Sequence, residues 1–229
     1  FPGKPLVDIG GKSMIQRVYD QASKCASLNK VIVATDHEKI ATHVQAFGGS
    51  VSMTSDKHQS GTDRCEEILS NQNETFDYVV NIQGDEPFIN PRQITELTQL
   101  LDGKTELATL IRKIDKQETL ASFHVVKVII NKNNEAIYFS RSPLPFLRNA
   151  AQNNWVAQHQ YYKHIGIYGY RADILKEVTS LPVSSLEKAE ALEQLRWIEN
   201  GYKIVTGFTV YETIGIDTPE DLEKVKDFY

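Results

Sequence analysis

Cysteine is scarce in this sequence, and the two that occur follow no metal-binding or disulfide pattern. Cys25 and Cys65 lie far apart, with no Cys-x-x-Cys motif and no histidine pairing. This spacing argues against a disulfide framework and against a zinc site. We therefore expect two reduced thiols in the core of a cytosolic protein.

Long apolar runs and basic clusters are also absent. No apolar stretch reaches the roughly 20 residues that a membrane-spanning helix needs, so we expect no membrane partner. The formal net charge is −5 and the isoelectric point is about 5.7. Because no dense Lys/Arg run or basic face accompanies this charge, we expect no nucleic-acid partner.

The composition that remains is ordinary for a globular protein. The 229 residues are 41% hydrophobic and 24% charged, which suits one large domain, or a core domain with a smaller inserted lobe. The first residue is Phe1 rather than Met. Because residues 1–6 look like the end of a loop, we expect the strand that feeds this loop to lie upstream.

The first 112 residues alternate between short apolar runs and amphipathic segments. This alternation predicts an α/β fold with a mostly parallel, twisted sheet flanked by helices. Ser13 is a suitable N-cap for the first helix, and Pro91 a suitable first residue for the fourth. The predicted helices cover 13–26, 38–47, 63–69 and 91–101, and the predicted strands cover 31–34, 51–53, 78–82 and 107–111.

The pattern changes in the second half. An Asn-rich link joins two strand-like runs, 125–130 and 136–139, and predicts a hairpin. Residues 147–160 are polar and aperiodic, which indicates a mobile loop. Further segments are predicted as strands (165–170, 203–211) and as helices (172–178, 186–199, and 219–228 with Thr218 as its cap). We expect a single domain over 1–229, with a smaller mixed β/α lobe at approximately 113–200.

The most informative motif is Asn-Ile-Gln-Gly-Asp-Glu-Pro at 81–87. It follows the apolar run 78–80, which predicts a buried strand ending in a tight turn with Asp85 at its tip. Ligands of open α/β sheets bind at such strand ends, and an aspartate there can hold Mg²⁺ shared with substrate phosphates. An ordinary acidic turn explains the motif alone equally well.

Asp217 occupies a similar place, in Gly-Ile-Asp-Thr-Pro at 215–219, between a predicted strand and a helix. It is a candidate second metal ligand facing Asp85. A lone aspartate before proline more often stabilises a helix dipole. The presence of two such acids at predicted strand ends favours the metal site.

Two polar segments are candidates for nucleotide binding. Lys4, beside Gly3, can hold a phosphate oxygen, although the P-loop spacing is absent and a solvated lysine is the commoner case. Residues 59–64 combine hydroxyls, a glycine and a helix start, whose free N–H groups can bind a base or a phosphate. Capping by Thr62 needs no ligand, and the segment can serve both purposes.

The second half offers candidates for a sugar pocket. Arg141 can pair with a carboxylate through two hydrogen bonds. His164 can bind a sugar hydroxyl, although a histidine without such a role is the commoner case at a strand edge. Glu193 and Gln194 lie on the predicted helix 186–199 close to Glu190, where they can bind hydroxyls or face solvent.

Eight motifs in order give the chain a resemblance to the 3-deoxy-manno-octulosonate cytidylyltransferases, the CMP-Kdo synthetase family. Each is weak alone, but their order over most of the chain is specific. The family's first strand and its Arg-bearing loop, which precede the first motif, lie outside this sequence. The motifs are 1–6, 34–36, 58–64, 81–87, 138–141, 164–171, 192–196 and 215–222.

The resemblance implies a Rossmann-like nucleotidyltransferase fold whose second-half lobe forms a homodimer. It implies that CTP and Kdo give CMP-Kdo and pyrophosphate, for lipopolysaccharide biosynthesis. Mg²⁺ would be the cofactor, bound by Asp85 and Asp217, and Lys4 would touch the CTP phosphates. Cytosine and ribose would be held by Ser60, Gly61, Thr62 and Gln83, and Kdo by Arg141, His164, Tyr168, Glu193 and Gln194.

Two alternatives stay open at this point. The chain could be a cytidylyltransferase for 8-amino-Kdo or another sugar acid, such as a sialic-acid-like sugar. It could also be a non-catalytic module that binds a nucleotide sugar, because a fold does not fix a function.

Overall fold

The computed structural model describes residues 3–212, 215, 216 and 218–224. Helices flank the sheets along the chain, and in the described residues the longest helices have ten residues. Within the described residues no helix is long and apolar enough to cross a membrane. The helices are α1 (Met14–Ser23), α2 (Glu38–Ala46), α3 (Gly61–Ser70), α4 (Pro91–Thr98), α5 (Gln117–Ala121), α6 (Trp155–Gln158), α7 (Ala172–Thr179), α8 (Ser185–Glu190), α9 (Gln194–Glu199) and α10 (Pro219–Lys224).

The strands form one large mixed sheet and two small ones. In the large sheet the order is β10-β6-β9-β7-β8, and β5 also pairs with β9. The strands are β1 (Asp8–Ile9), β2 (Lys12–Ser13), β3 (Val33–Thr35), β4 (Val51–Met53), β5 (Tyr78–Asn81), β6 (Leu107–Lys113), β7 (Lys127–Ile130), β8 (Ala136–Ser140), β9 (Tyr162–Arg171) and β10 (Ile204–Phe208).

Strand β9 is the centre of the large sheet. It runs antiparallel to β6 on one edge, and on the other edge to β5 near its C-terminal end and to β7 near its N-terminal end. Strands β5 and β6 therefore run in the same direction, and β10 is parallel to β6. The α/β class is confirmed, with β5, β6, β7 and β10 running in one direction and β8 and β9 in the other.

Apolar side chains on both faces of this sheet explain why it is buried between helices. One core cluster joins the sheet to α7 and α9 through residues such as Tyr170, Leu175 and Trp197. A second cluster joins the opposite face to α1 and α4 through Ala22 and Leu97. The helices thus cover both faces, as the alternating pattern predicts.

Strands β3 and β4 form a separate parallel pair. In the described part of the chain, β3 pairs only with β4, and β5 only with β9. Between 31–34 and 78–84 lies a cavity of about 1070 Å³, which helices α1, α3 and α4 also line. The first half of the chain thus contains two open strand edges that face the same space.

Several local predictions are confirmed by hydrogen bonds. Ser13 caps α1 by accepting from the Gln16 N–H, and Pro91 is the first residue of α4 behind the cap Asn90. The hairpin forms between β7 and β8. Thr218 Oγ1 accepts from the Asp221 N–H at the start of α10, whose predicted continuation over 225–228 lies outside the described residues.

Two predicted elements of the second half differ in the structure. The predicted helix 186–199 is two helices, α8 and α9, separated at Ala191, whose φ of 52° is left-handed. Residues 147–160, predicted as a mobile loop, include α6 and bury Trp155 against Leu120 and Tyr161. The aromatic ring gives this polar segment its own small core.

Candidate active site

The acidic motif forms the turn that follows β5. Asp85 is about one-third exposed, and its Oδ2 lies 3.0 Å from Lys4 Nζ. The backbone carbonyl of Asp85 accepts the Ile216 N–H at 3.0 Å. Lys4 and Ile216 therefore meet at the turn that contains Asp85. Asp217 itself lies outside the described residues.

Glu86 is the less exposed acid of the pair. Its Oε2 is buried without a hydrogen-bond partner in the described residues. Burial, reinforced by the charge of Asp85, raises the pKa of Glu86 to about 7. Two adjacent carboxyl groups therefore have different environments, and the orphaned oxygen of Glu86 retains capacity to accept a bond.

The donor set at this turn suits a hard cation. Asp85 and Glu86 supply carboxylate oxygens only, the ligand type that Mg²⁺ prefers. No group of three or more His, Cys, Asp or Glu side chains that could hold a metal occurs within the described ranges. Because Mg²⁺ usually binds through one or two carboxylates plus waters and phosphates, the residues present fit it.

Ser60, and not Thr62, caps helix α3. The helix begins at Gly61, two residues earlier than predicted, and Ser60 Oγ accepts from the Asp63 N–H at 3.1 Å. The Thr62 side chain therefore does not cap the helix, and it is buried. Its Oγ1 donates to Glu193 Oε2 at 2.6 Å and lies 3.3 Å from the Tyr170 hydroxyl.

Glu193 precedes α9 and faces the start of α3. Burial raises its pKa, while hydrogen bonds from Thr62 and Ser60 act in the opposite direction. Its neighbour Gln194 is buried, 5% exposed. The break at Ala191 means that Glu190 and Glu193 do not share one helix face, contrary to the predicted continuous helix.

His164 and Tyr168 lie together on β9. Their ring centroids are 5.1 Å apart, and Tyr168 also packs edge-on against Trp197 at 5.2 Å. Burial lowers the pKa of His164 to about 3, so its imidazole is neutral at physiological pH. The Tyr168 hydroxyl is buried without a hydrogen-bond partner in the residues that the structure covers.

Arg141 is held by backbone carbonyl groups. Its Nε donates to the Glu190 carbonyl at 2.8 Å, and its two terminal nitrogens donate to the Phe123 and Ala191 carbonyls. Glu190 in turn accepts from the Arg141 N–H and from Ser140 Oγ. The guanidinium therefore bridges the end of β8 to the break between α8 and α9.

A β-bulge connects the two halves of the site. Thr109 of β6 pairs with Tyr168, but Leu110 pairs with Ile165, so Gly166 and Ile167 are extra residues in β9. A Cβ atom on Gly166 would lie 3.9 Å from Gln83 Cγ and from Glu86 Oε1. The bulge thus faces the turn after β5, and bulges occur often beside active sites.

The structure brings most of the predicted residues into one region. The Lys4–Asp85 turn adjoins Gln83 and Glu86, which face the bulge of β9. His164 and Tyr168 lie on the same strand, and Trp197 and Tyr170 connect Tyr168 to Thr62 and Glu193. Gly61 lies beside this group, since its Cβ position is 3.4 Å from the Asn81 side chain.

The sequence analysis did not identify three residues as candidates for the site. Thr109 contacts His164 directly, Glu86 is a buried acid, and Lys127 is a fully buried lysine that donates to the Ser122 and Val125 carbonyls. Glu86 could have been found, because it follows Asp85 in the same motif. A threonine inside an apolar strand and a lysine before one give no such signal.

Comparison with known proteins defines the class. A family model described as Cytidylyltransferase matches residues 1–204. A 3-deoxy-manno-octulosonate cytidylyltransferase of Parabacteroides distasonis is 55% identical over 100% of this chain and 92% of its own length. One of Cytophaga hutchinsonii is 54% identical over 98% of this chain and 90% of its own.

A solved structure agrees with these relatives. The structure of a CMP:2-keto-3-deoxy-manno-octonic acid synthetase complexed with CTP is 44% identical, with a TM-score of 0.91 over 100% of this chain and 92% of that one. This nucleotidyltransferase chain belongs to the cytidylyltransferase family and, within that family, to the 3-deoxy-manno-octulosonate cytidylyltransferases.

Proposed function

We propose that this chain activates 3-deoxy-manno-octulosonate with CTP, giving CMP-Kdo and pyrophosphate for lipopolysaccharide biosynthesis. The hydroxyl on the anomeric carbon of the sugar attacks the α-phosphorus of CTP in line, and pyrophosphate leaves. Such a transfer depends on the placement of two substrates and on the neutralisation of phosphate charge. The chain must therefore hold a nucleotide and a sugar acid side by side.

One observation carries this proposal: Thr62 Oγ1 donates to Glu193 Oε2 at 2.6 Å. Thr62 belongs to the segment proposed for the nucleotide, and Glu193 to the set proposed for the sugar. Because the two side chains touch, substrates held by the two sets would lie next to each other. The family membership of the chain supports the same pair of substrates.

The part of the site that binds the nucleotide would be formed by the start of α3. The first N–H groups of a helix and its positive dipole end attract phosphate or base oxygens, and α3 begins at Gly61 behind Ser60. The exposed Gln83 would add an amide for the cytosine or the ribose. Lys4 would neutralise phosphate charge, which an acidic chain needs in order to receive an anionic substrate.

The part of the site that binds the sugar would be formed by β9 and the start of α9. The buried Tyr168 hydroxyl has a donor and acceptor to offer to a sugar hydroxyl. His164, Glu193 and Gln194 would bind further hydroxyls. Arg141 would bind the sugar carboxylate with hydrogen-bonding capacity that its bonds to the carbonyl groups leave unused.

We propose Asp85 and Asp217 as the protein ligands of Mg²⁺. The hydrogen bond from the Ile216 N–H to the Asp85 carbonyl supports this pairing, since Ile216 directly precedes Asp217. Bound there, the ion would lower the pKa of the attacking hydroxyl and screen the phosphates. Lys4 Nζ lies 3.0 Å from Asp85 Oδ2 and so orients this carboxylate.

The test is turnover with defined substrates. Pyrophosphate release should require both CTP and Kdo, and it should fall when UTP or ATP replaces CTP. A panel with 8-amino-Kdo and a sialic acid identifies the acceptor, and equal rates on all three would contradict the proposed specificity. A binding module would bind CTP but release no pyrophosphate, which would refute the enzymatic proposal.

We propose the oligomeric state and the cellular location of the protein from the same family resemblance. Four large apolar side chains within 113–200 are more than half exposed, namely Phe123, Ile137, Phe146 and Val183. Together they support a lobe that forms a homodimer. Light scattering on the purified protein should give twice the mass of one chain, and cell fractionation should place the protein in the cytoplasm.

A further inference from the structure

The hydroxyl of Thr109 contacts three groups at the bulge of β9. Its Oγ1 lies 2.7 Å from the Ile167 carbonyl oxygen and 3.2 Å from the Ile165 carbonyl oxygen. It also lies 2.9 Å from Nε2 of His164. Thr109 is fully buried, so water does not supply an alternative partner for this hydroxyl.

The protons in this cluster can be assigned by counting donors. A threonine hydroxyl has one proton, and carbonyl oxygens only accept. The Thr109 proton therefore points to a carbonyl, and the shorter contact identifies that of Ile167. The ring nitrogen Nε2 can then bond the hydroxyl only as a donor, so His164 carries its proton on Nε2.

The imidazole is fixed in place as well as in tautomer. Phe139 packs edge-on against the ring at 5.2 Å, and Tyr168 packs on it at 5.1 Å. Burial keeps the ring neutral, because it lowers the pKa of His164 to about 3. In a neutral ring with Nε2 protonated, Nδ1 has a free lone pair.

We propose that Thr109 is a positioning residue that presents Nδ1 of His164 to the sugar substrate as a hydrogen-bond acceptor. The proposal rests on the proposed function of the site and deepens it. A neutral acceptor selects a hydroxyl donor of the sugar and does not pair with its carboxylate. Thr109 does not touch the substrate and acts only through the histidine.

The bulge explains why a threonine performs this task. The extra residues Gly166 and Ile167 interrupt the ladder between β6 and β9. The Ile165 and Ile167 carbonyls then face the Thr109 side chain, which supplies the hydrogen bond that the ladder does not. One hydroxyl thus stabilises the bulge and orients the histidine that lies on the same strand.

The tautomer is tested directly by nitrogen-15 NMR of the free enzyme at neutral pH. The expected spectrum shows His164 neutral, with a proton on Nε2 and none on Nδ1. A proton on Nδ1 would overturn the proposal. This readout requires no turnover, so it remains decisive even if the proposed cytidylyl transfer were refuted.

Kinetics test the effect on the sugar. Thr109→Val keeps the shape and removes the hydroxyl, so the KM for Kdo should rise about two- to tenfold, the loss of one neutral hydrogen bond. The KM for CTP and the kcat should stay near their wild-type values. Thr109→Ser retains the hydroxyl and should restore the KM for Kdo.

A matched control separates positioning from stability. Thr206 is also a buried strand threonine, and its Oγ1 donates to the Asn134 carbonyl at 2.7 Å, away from the histidine. Thr206→Val should lower the melting temperature without changing the KM for Kdo. If it raises that KM as much as Thr109→Val does, or if Thr109→Val raises both KM values equally, the positioning role is wrong.

Discussion

Lys4 and Asp85, which are 81 positions apart in the chain, form an ion pair with Nζ 3.0 Å from Oδ2. The pair joins the first described segment to the turn after β5. Both side chains are partly exposed, so the pair adds about 1 kcal/mol or less to stability. Its importance is therefore expected in catalysis, since it places a cation and a carboxylate where phosphates would bind.

Asp85→Asn should lower kcat on the order of 10³-fold. The substitution removes the negative charge, and the amide that replaces the carboxylate is a poor ligand for a hard cation. The melting temperature should change little. Pyrophosphate release under saturating substrates measures the effect. Asp20→Asn removes an acid in a comparable ion pair with Lys12 and should retain wild-type turnover. Near wild-type turnover of Asp85→Asn would contradict the metal assignment.

The contact between Thr62 and Glu193 should be measurable as a coupling free energy. Thr62→Val and Glu193→Leu each remove one partner, and the double variant should be about 1 to 3 kcal/mol more stable than the sum of the single effects predicts. Denaturant unfolding of the four proteins gives this value. Thr206 and Glu193 share no hydrogen-bond partner and serve as the control. The effects of Thr206→Val and Glu193→Leu on the free energy of unfolding should be additive within about 0.5 kcal/mol.

Arg141→Ala should raise the KM for Kdo at least tenfold and that for CTP much less, since a charged hydrogen bond to the carboxylate is lost. Some loss of stability should accompany it, because the Glu190 and Ala191 carbonyls lose their donor. Arg171→Ala is the control, since the Arg171 guanidinium also donates to a backbone carbonyl, that of Lys104. Equal increases in both KM values would remove Arg141 from the sugar pocket.

His164, which is partly buried, should make stability depend on pH. Its folded pKa of about 3 lies below the ordinary value of 6.5, so the unfolded chain binds more protons between these values. The wild type should therefore lose about 2 kcal/mol relative to His164→Gln between pH 7 and pH 5. Urea unfolding at both pH values measures this. His124→Gln, which removes an exposed imidazole, is the matched control.

The sequence predicts well those features that depend on neighbouring residues. Ser13, Pro91 and Thr218 begin their helices as expected, because capping is a matter of a few adjacent backbone groups. The turn at Asp85 follows a strand because an apolar run meets glycine and proline. Such local rules need no knowledge of the rest of the fold.

Features decided by distant contacts could not be predicted. Ser60 and Thr62 are both suitable caps, and only Glu193, 131 positions further on, decides that Thr62 is buried. The break at Ala191 is not marked by glycine or proline. There Arg141 donates to the carbonyls of Glu190 and Ala191. These hydrogen bonds stabilise the break, although helix propensity alone would favour one continuous helix over these residues.

The β9 bulge also limits which insertions and deletions the site can accept. Side chains of a strand alternate between its two faces, and the bulge adds an even number of residues, so His164 and Tyr168 still project from the same face. Removal of Gly166 alone would turn one of the two rings to the opposite face. Changes in length at this point are therefore compatible with the pocket only in steps of two.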